Sequence, residues 1–179
     1  MTQITERQCA CGQARFTVDG EPMLSVECFC TSCRTAGGVL EKLPGAPRIV
    51  GRNGATQLVL YRKDRIHFTV GTELLKEYRL TPGSPTRRIV AICCNTPICL
   101  DFTKGHWLSL CSCLWSPRTR PPIQMRTMTS DALKGSTLSD DVPNHKRYTF
   151  SFFFAGLLRA WVAMGFKIPK VFVNGTLHV

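Results

Sequence analysis

Three cysteines within six positions, C-F-C-T-S-C at residues 28 to 33, constrain this chain more than any other feature of it. The chain carries ten cysteines, at positions 9, 11, 28, 30, 33, 93, 94, 99, 111 and 113, and none follows Cys113. Whatever the thiols do therefore belongs to the first two thirds of the sequence. The opening residues M-T-Q-I-T-E-R-Q contain no apolar run, so no secretory signal is visible and a cytoplasmic location is expected. Thiols stay reduced in that compartment, and so many of them point to metal binding rather than to a disulfide framework.

The spacing C-x-C-x-x-C lets Cys28, Cys30 and Cys33 surround one ion, because zinc holds its sulfurs at about 2.3 Å. A closed structural site takes four ligands; three leave a position for water or for a substrate. The four histidines, at 67, 106, 145 and 178, lie far along the chain. Two alternatives stand beside a metal. Cys30-Thr-Ser-Cys33 has the spacing of a redox pair, without the βαβ setting such pairs occupy. Three unliganded buried thiols is the other. Cys9-x-Cys11-Gly12 cannot close a site alone and needs partners among the cysteines at 93, 94, 99, 111 and 113.

The rest of the pattern reads as mainly β. A-R-F-T-V alternates as a strand before the D-G-E-P turn, and L-S-V-E-C-F puts Val26, Cys28 and Cys30 on one side of a second strand. L-V-L-Y-R, H-F-T-V, L-K-E-Y-R-L and R-I-V-A-I-C follow about every ten residues, as in antiparallel sheets. H-W-L-S-L-C-S-C-L-W (106–115) is a further alternating strand, with Cys111 and Cys113 on one face as small buried hydrophobes. Residues 41–56, rich in Gly and Pro, read as a loop around a short strand, and 135–144 as another loop. The division expected is a β domain over 1–116 and a C-terminal extension over 117–179. In that extension residues 148–166 form an apolar helix. Phe150, Phe153, Phe154, Leu157, Leu158 and Trp161 recur on one face, and Arg159 near the middle would cost roughly 2.5 kcal/mol in a bilayer. A helix docked on the domain or on a partner, or forming an oligomer, is therefore expected, with a membrane-surface role as the alternative and no transmembrane span. Asn174-Gly175 near the end is a hairpin signal.

The formal charge is +11, and between Arg62 and Arg126 eleven Lys and Arg face four acids. Such a surface attracts anions: nucleic acid, acidic lipid or a small anionic substrate. No basic run interleaved with aromatics marks a nucleic-acid motif.

C-x-C-G near the N-terminus, C-x-C-x-x-C some seventeen residues later, and a cysteine followed by Thr-Pro together resemble the glutathione-dependent formaldehyde-activating enzymes, which include the centromere protein V relatives. The resemblance covers roughly residues 9–115. It implies β-tent-like antiparallel sheets around two zinc ions, here with a C-terminal α-helical extension. One ion would be structural, held by Cys9, Cys11 and a late C-x-x-C-G-T-P motif. The other would be held by Cys28, Cys30 and Cys33 as the thiol-binding, catalytic ion. The late motif departs from the family: I-V-A-I-C-C-N-T-P places Asn95 on the family's Gly and Ala91 on its first cysteine. Cys93 is then expected to join Cys94, provided the backbone turns there, because neighbours in a regular strand face opposite ways. Cys99 or a water is the alternative.

The resemblance implies a carbon–sulfur lyase akin to S-(hydroxymethyl)glutathione synthase, with glutathione or a similar thiol as partner. Arg87 and Arg88, or Arg62 and Lys63, are candidates by charge for its carboxylates. The competing reading is a non-catalytic, zinc-stabilised binding module whose basic surface meets nucleic acid or a protein.

Overall fold

The computed structural model describes residues 3–147 and 150–179, and the side chains of residues 150–155 lie outside the description. The helical-face expectation for Phe150, Phe153 and Phe154 therefore falls outside the described side chains.

Among the described residues ten strands and two α-helices form. In chain order they are β1 (Ile4–Gln8), β2 (Arg15–Asp19), β3 (Leu24–Cys28), α1 (Thr31–Leu40), β4 (Thr56–Arg62), β5 (Ile66–Val70) and β6 (Leu75–Tyr78). Then come β7 (Thr86–Ala91), β8 (Thr96–Phe102), β9 (Trp107–Cys111), β10 (Met125–Thr127) and α2 (Phe150–Ala163). A three-stranded sheet has the order β1-β2-β5, and a seven-stranded sheet the order β10-β3-β4-β9-β8-β7-β6. Every pairing is antiparallel except β10 on β3. The mainly β, antiparallel class expected from the alternation is what the chain adopts, with an α-helix near its C-terminus.

Alternation divides the large sheet's two faces. One face contributes Val59, Ile89, Leu108 and Leu110 to a core shared with Phe16 and Val18 of β2, Ile66 of β5 and Trp115. Phe16 and Phe68 pack across the small sheet with ring centroids 5.2 Å apart and planes tilted by 41°. The other face carries Leu24, Val26, Leu58, Leu60 and Cys111, packed with Cys28, Cys30 and Cys33. Each fully buried Leu, Ile or Phe contributes about 1.5–3 kcal/mol, so the two cores are the main source of stability.

Three expectations are corrected. Helix α1 was not foreseen, because T-S-C-R-T-A-G-G-V-L carries two glycines of poor helix propensity. Gly37 is there for close approach: a Cβ on it would stand 2.4 Å from Val50 Cγ2. The strand expected over 106–115 stops at Cys111, and residues 112–114 turn as a 3-10 helix, so Cys111 and Cys113 do not share a strand face. Asn174-Gly175 makes no hairpin. The tail runs along the edge strand β6 instead, with Asn174 N donating to Leu75 O at 2.6 Å and Leu177 N to Glu77 O at 2.7 Å. Arg87 fastens the same tail through Val171 O at 2.8 Å. An otherwise open sheet edge is thereby covered.

No helix among the described residues is long and apolar enough to cross a membrane. Helix α2 buries Ala160, the turn after it buries Met164, and Trp161 of the helix stacks on His106 with ring centroids 5.9 Å apart. Burial lowers the His106 pKa, working against a hydrogen bond to the Leu157 backbone. The folded ring thus resists protonation relative to the unfolded one. Its contribution is complete above about pH 6.5 and is lost as pH falls through the lowered folded value. Melting temperature measured between pH 7.5 and 5 should therefore fall more for the wild-type chain than for His106→Phe. Equal falls would contradict this reading.

Candidate metal centres

Two groups of cysteines come together, and each is built by the ends of regular elements. The first joins two hairpin tips from different sheets. In the β1–β2 tip, Cys9 N donates to Ala14 O at 2.9 Å and Gly12 N to Cys9 O at 3.0 Å. Gly12 has φ +76°, a left-handed conformation glycine adopts without a Cβ penalty, so the tip folds back and turns Cys9 and Cys11 the same way. In the β7–β8 tip, Ala91 pairs with Thr96 across the four residues Ile92 to Asn95.

Here the backbone turns, as two adjacent cysteine ligands would require. Cys94 N reaches back to Ala91 O at 3.4 Å, and Asn95 sits at φ +53°. Asparagine is among the few residues that tolerate this region, which explains how it stands where the family has glycine. Pro97 pairs with Val90 at a break in the β7–β8 register, where a ladder donor is dispensable.

The four sulfurs approach one another closely. Cys9 Sγ lies 3.6 Å from Cys11 Sγ and 3.7 Å from Cys93 Sγ; Cys11 and Cys93 are 3.4 Å apart, and Cys93 and Cys94 3.9 Å. All four lie within 4.8 Å of one another. Sulfurs about 2.3 Å from a central zinc stand about 3.8 Å apart along the edges of a tetrahedron, so the donor set and its spacing fit that ion. The surroundings also favour thiolates. Ala14 N donates to Cys9 Sγ at 3.3 Å, and the Thr96 hydroxyl lies 3.0 Å from Cys94 Sγ while accepting from Ala10 N at 3.0 Å. Burial pushes the Cys94 thiol up, but the Thr96 hydroxyl and the neighbouring cysteines bring it down to about 6. Cys99, fully buried in the core, is not part of the group.

The second group is Cys28, Cys30 and Cys33, whose sulfurs also lie within 4.8 Å of one another, with no fourth protein donor among the described residues. Cys28 ends β3. Cys30 caps α1 rather than continuing the strand, and its sulfur accepts from Cys33 N at 3.3 Å. The positive end of the α1 dipole thus faces the trio, which favours thiolates. Hydrogen bonds from Cys30 and Cys33 hold the Cys28 thiol down to about 3, and the same contacts push Cys30 and Cys33 up. A divalent cation would let all three ionise.

Two buried polar atoms without partners mark the same region. Thr56 pairs with Cys28 across β3–β4 and is 2% exposed, yet its Oγ1 has no partner. Arg88, 4% exposed, donates to Ser32 O at 3.2 Å and Ser32 Oγ at 2.9 Å, between Cys30 and Cys33 in sequence, while its Nε is unpaired. No carboxylate lies within ion-pair distance of Arg88 among the described residues. A buried lone cation is costly. A divalent ion with three thiolates would carry one excess negative charge, which Arg88 would offset.

A family model described as glutathione-dependent formaldehyde-activating enzyme matches residues 4–114. The chain belongs to that family. The matched region contains both cysteine groups. No curated protein sequence matches the chain. Among solved structures, a Rhodobacter sphaeroides protein is 14% identical, covering 78% of this chain and 99% of its own, with a TM-score of 0.45.

Relative to sequence reasoning, the structure brings together Cys9, Cys11, Cys93 and Cys94, and separately Cys28, Cys30 and Cys33. It leaves Cys99, Cys111 and Cys113 outside both groups. Of the cations expected to hold carboxylates, Lys63 and Arg87 pair with buried Asp101 at 2.7 and 2.8 Å and Arg62 with Asp64, while Arg88 has no carboxylate partner among the described residues. Thr56 was missed, and Arg88 was named only as a candidate for a ligand's carboxylates, since nothing in their local sequence ties either to the three cysteines.

The Asn95 geometry is testable. Asn95→Gly should leave the urea midpoint within error of the parent, whereas Asn95→Val should cost about 1–2 kcal/mol through its left-handed backbone. An unchanged Asn95→Val midpoint would show that the tip does not turn as described.

Proposed function

We propose that this chain is a zinc protein of the carbon–sulfur lyase type, with a closed structural ion on Cys9, Cys11, Cys93 and Cys94 and a thiol-binding ion on Cys28, Cys30 and Cys33. The observation that carries the reading is the unequal completeness of the two groups. One supplies four sulfurs at tetrahedral spacing, and the other stops at three beside buried, unpartnered polar atoms. Structural zinc sites are closed, and sites that act on a ligand keep one position open.

Zinc held by the three cysteines would supply a lowered thiol pKa and a fixed position for the sulfur of glutathione or a similar thiol. The chain's own residues do the rest. Helix α1 presents its N-terminus to the thiolate cluster, and Arg88 balances the cluster's excess charge while clamping Ser32. The Thr56 hydroxyl is the unpaired donor on the Cys28 side of the sheet, suited to an electrophile's carbonyl oxygen. The reaction class is addition of a thiol to an aldehyde. A C–S bond forms at the carbonyl carbon, and the carbonyl oxygen takes the proton the thiol gave up; the reverse step cleaves the bond. All ten cysteines are free, as a reducing, cytoplasmic setting would keep them.

Cobalt substitution tests the thiol site directly. Adding glutathione to the cobalt form should raise the sulfur-to-cobalt charge-transfer absorption in the wild type and not in Cys30→Ser. Formaldehyde should then be consumed in proportion to glutathione. An absorption that glutathione leaves unchanged would favour two structural ions and a binding-module role.

A further inference from the structure

Acids and cations are divided unevenly along this chain. Residues 142–179 contain five Lys and Arg (Lys146, Arg147, Arg159, Lys167 and Lys170) and no Asp or Glu. None of the five lies within ion-pair distance of a carboxylate among the described residues. Where α2 meets the β domain, Asp64 is already held by Arg62, whose Nη2 also donates to Ala163 O at 3.4 Å. The C-terminal extension is therefore an uncompensated basic surface.

Apolar exposure is concentrated in the same stretch. Of nine exposed large hydrophobic side chains among the described residues, six lie from Leu158 to Val179. Ala160 is buried and Trp161 stacks on His106, which sets the inward face of α2. Leu158 and Val162, four residues apart, share an outward face, with exposed Arg159 beside them.

The end of the helix adds an aromatic. Gly165 N donates to Val162 O at 2.9 Å and Phe166 N to Trp161 O at 3.0 Å, the paired bonds of a Schellman cap. Phe166 stands at φ +59°, a region that a bulky side chain occupies only under strain. Its ring meets Trp161 edge-on at 5.3 Å and is still 60% exposed. In water alone that arrangement costs twice, in backbone strain and in exposed apolar surface.

We infer that this helix and its cap dock on the surface of an anionic lipid bilayer, with Leu158, Val162 and Phe166 entering the acyl boundary and Arg159, Lys167 and the neighbouring cations meeting the headgroups. A helix of 14 residues is about 21 Å long, short of the roughly 30 Å hydrocarbon layer, so it lies in the interface plane. Arg159 beside two aliphatic side chains suits that setting, because its long stem follows apolar surface while the guanidinium rises to the headgroups. Acidic lipid supplies the negative charge that residues 142–179 lack. A second copy of this chain does not, since a two-fold contact would bring this acid-free basic surface against itself. The inference depends on neither metal centre.

Co-sedimentation of the full chain with vesicles tests it. Binding to phosphatidylcholine vesicles containing phosphatidylserine should be saturable and fall with added salt, and be roughly tenfold or more weaker on phosphatidylcholine alone. Leu158→Ser combined with Val162→Ser keeps the charge and should weaken binding by a similar factor. Phe166→Gly should weaken it too while its melting temperature holds or rises, which separates docking from folding. Lys167→Gln with Lys170→Gln should weaken binding, whereas the same loss of charge in Arg48→Gln with Arg52→Gln should leave it unchanged. No binding to the acidic vesicles, undiminished binding by the serine variant, or equal loss from both charge pairs would overturn the inference. So would a dimer in solution that the serine variant dissociates and that binds no vesicles.

Discussion

Four sulfurs drawn from two hairpin tips meet where the two sheets of this protein come together. The β1–β2 tip belongs to the small sheet and the β7–β8 tip to the large one, and their meeting point is the cluster of Cys9, Cys11, Cys93 and Cys94. Thr96 reinforces the junction by accepting from Ala10 of one tip while its hydroxyl lies against Cys94 of the other. The core of Phe16, Val18, Ile89 and Leu110 fills the space this junction encloses. Four thiols held this close, without a cation, would repel as they ionise. The arrangement is therefore one in which folding and metal binding would be coupled.

The other end of the large sheet carries the second group. Strands β3 and β4 run antiparallel through the same layer, and β3 delivers Cys28 to the start of α1, where Cys30 and Cys33 complete a three-sulfur group. The helix dipole, the Arg88 charge and the Thr56 hydroxyl all meet there. The two centres thus differ in kind because of what surrounds them: one is closed by protein sulfur, and the other ends in unsatisfied donors.

Much of this was legible in the residues. Alternation in β2, β4, β5 and β7 and the clustering of cysteines point to a β-rich chain with two thiol groups. The departures have physical causes. Helix α1 hides because Gly37 and Gly38 depress its propensity, and tertiary contact with Val50 outweighs that. Strand β9 looks longer than it is, because a 3-10 turn breaks the alternation at Ser112 without any Gly or Pro to announce it. Asn174-Gly175 reads locally as a hairpin, but the free edge of β6 offers the tail more hydrogen bonds than a second short strand would. Buried pairings such as Lys63 with Asp101 join residues distant in sequence, so charge counting assigned those cations to a ligand they do not face.

Metal content per chain is the measurement on which this account turns. Elemental mass spectrometry on protein purified without chelators or a metal-affinity step should find two zinc ions per chain in the wild type. Cys93→Ser should lose one and melt at a markedly lower temperature, and Cys33→Ser should lose the other with a smaller change. One ion or none in the wild type, or a Cys93→Ser chain that keeps both, would contradict it.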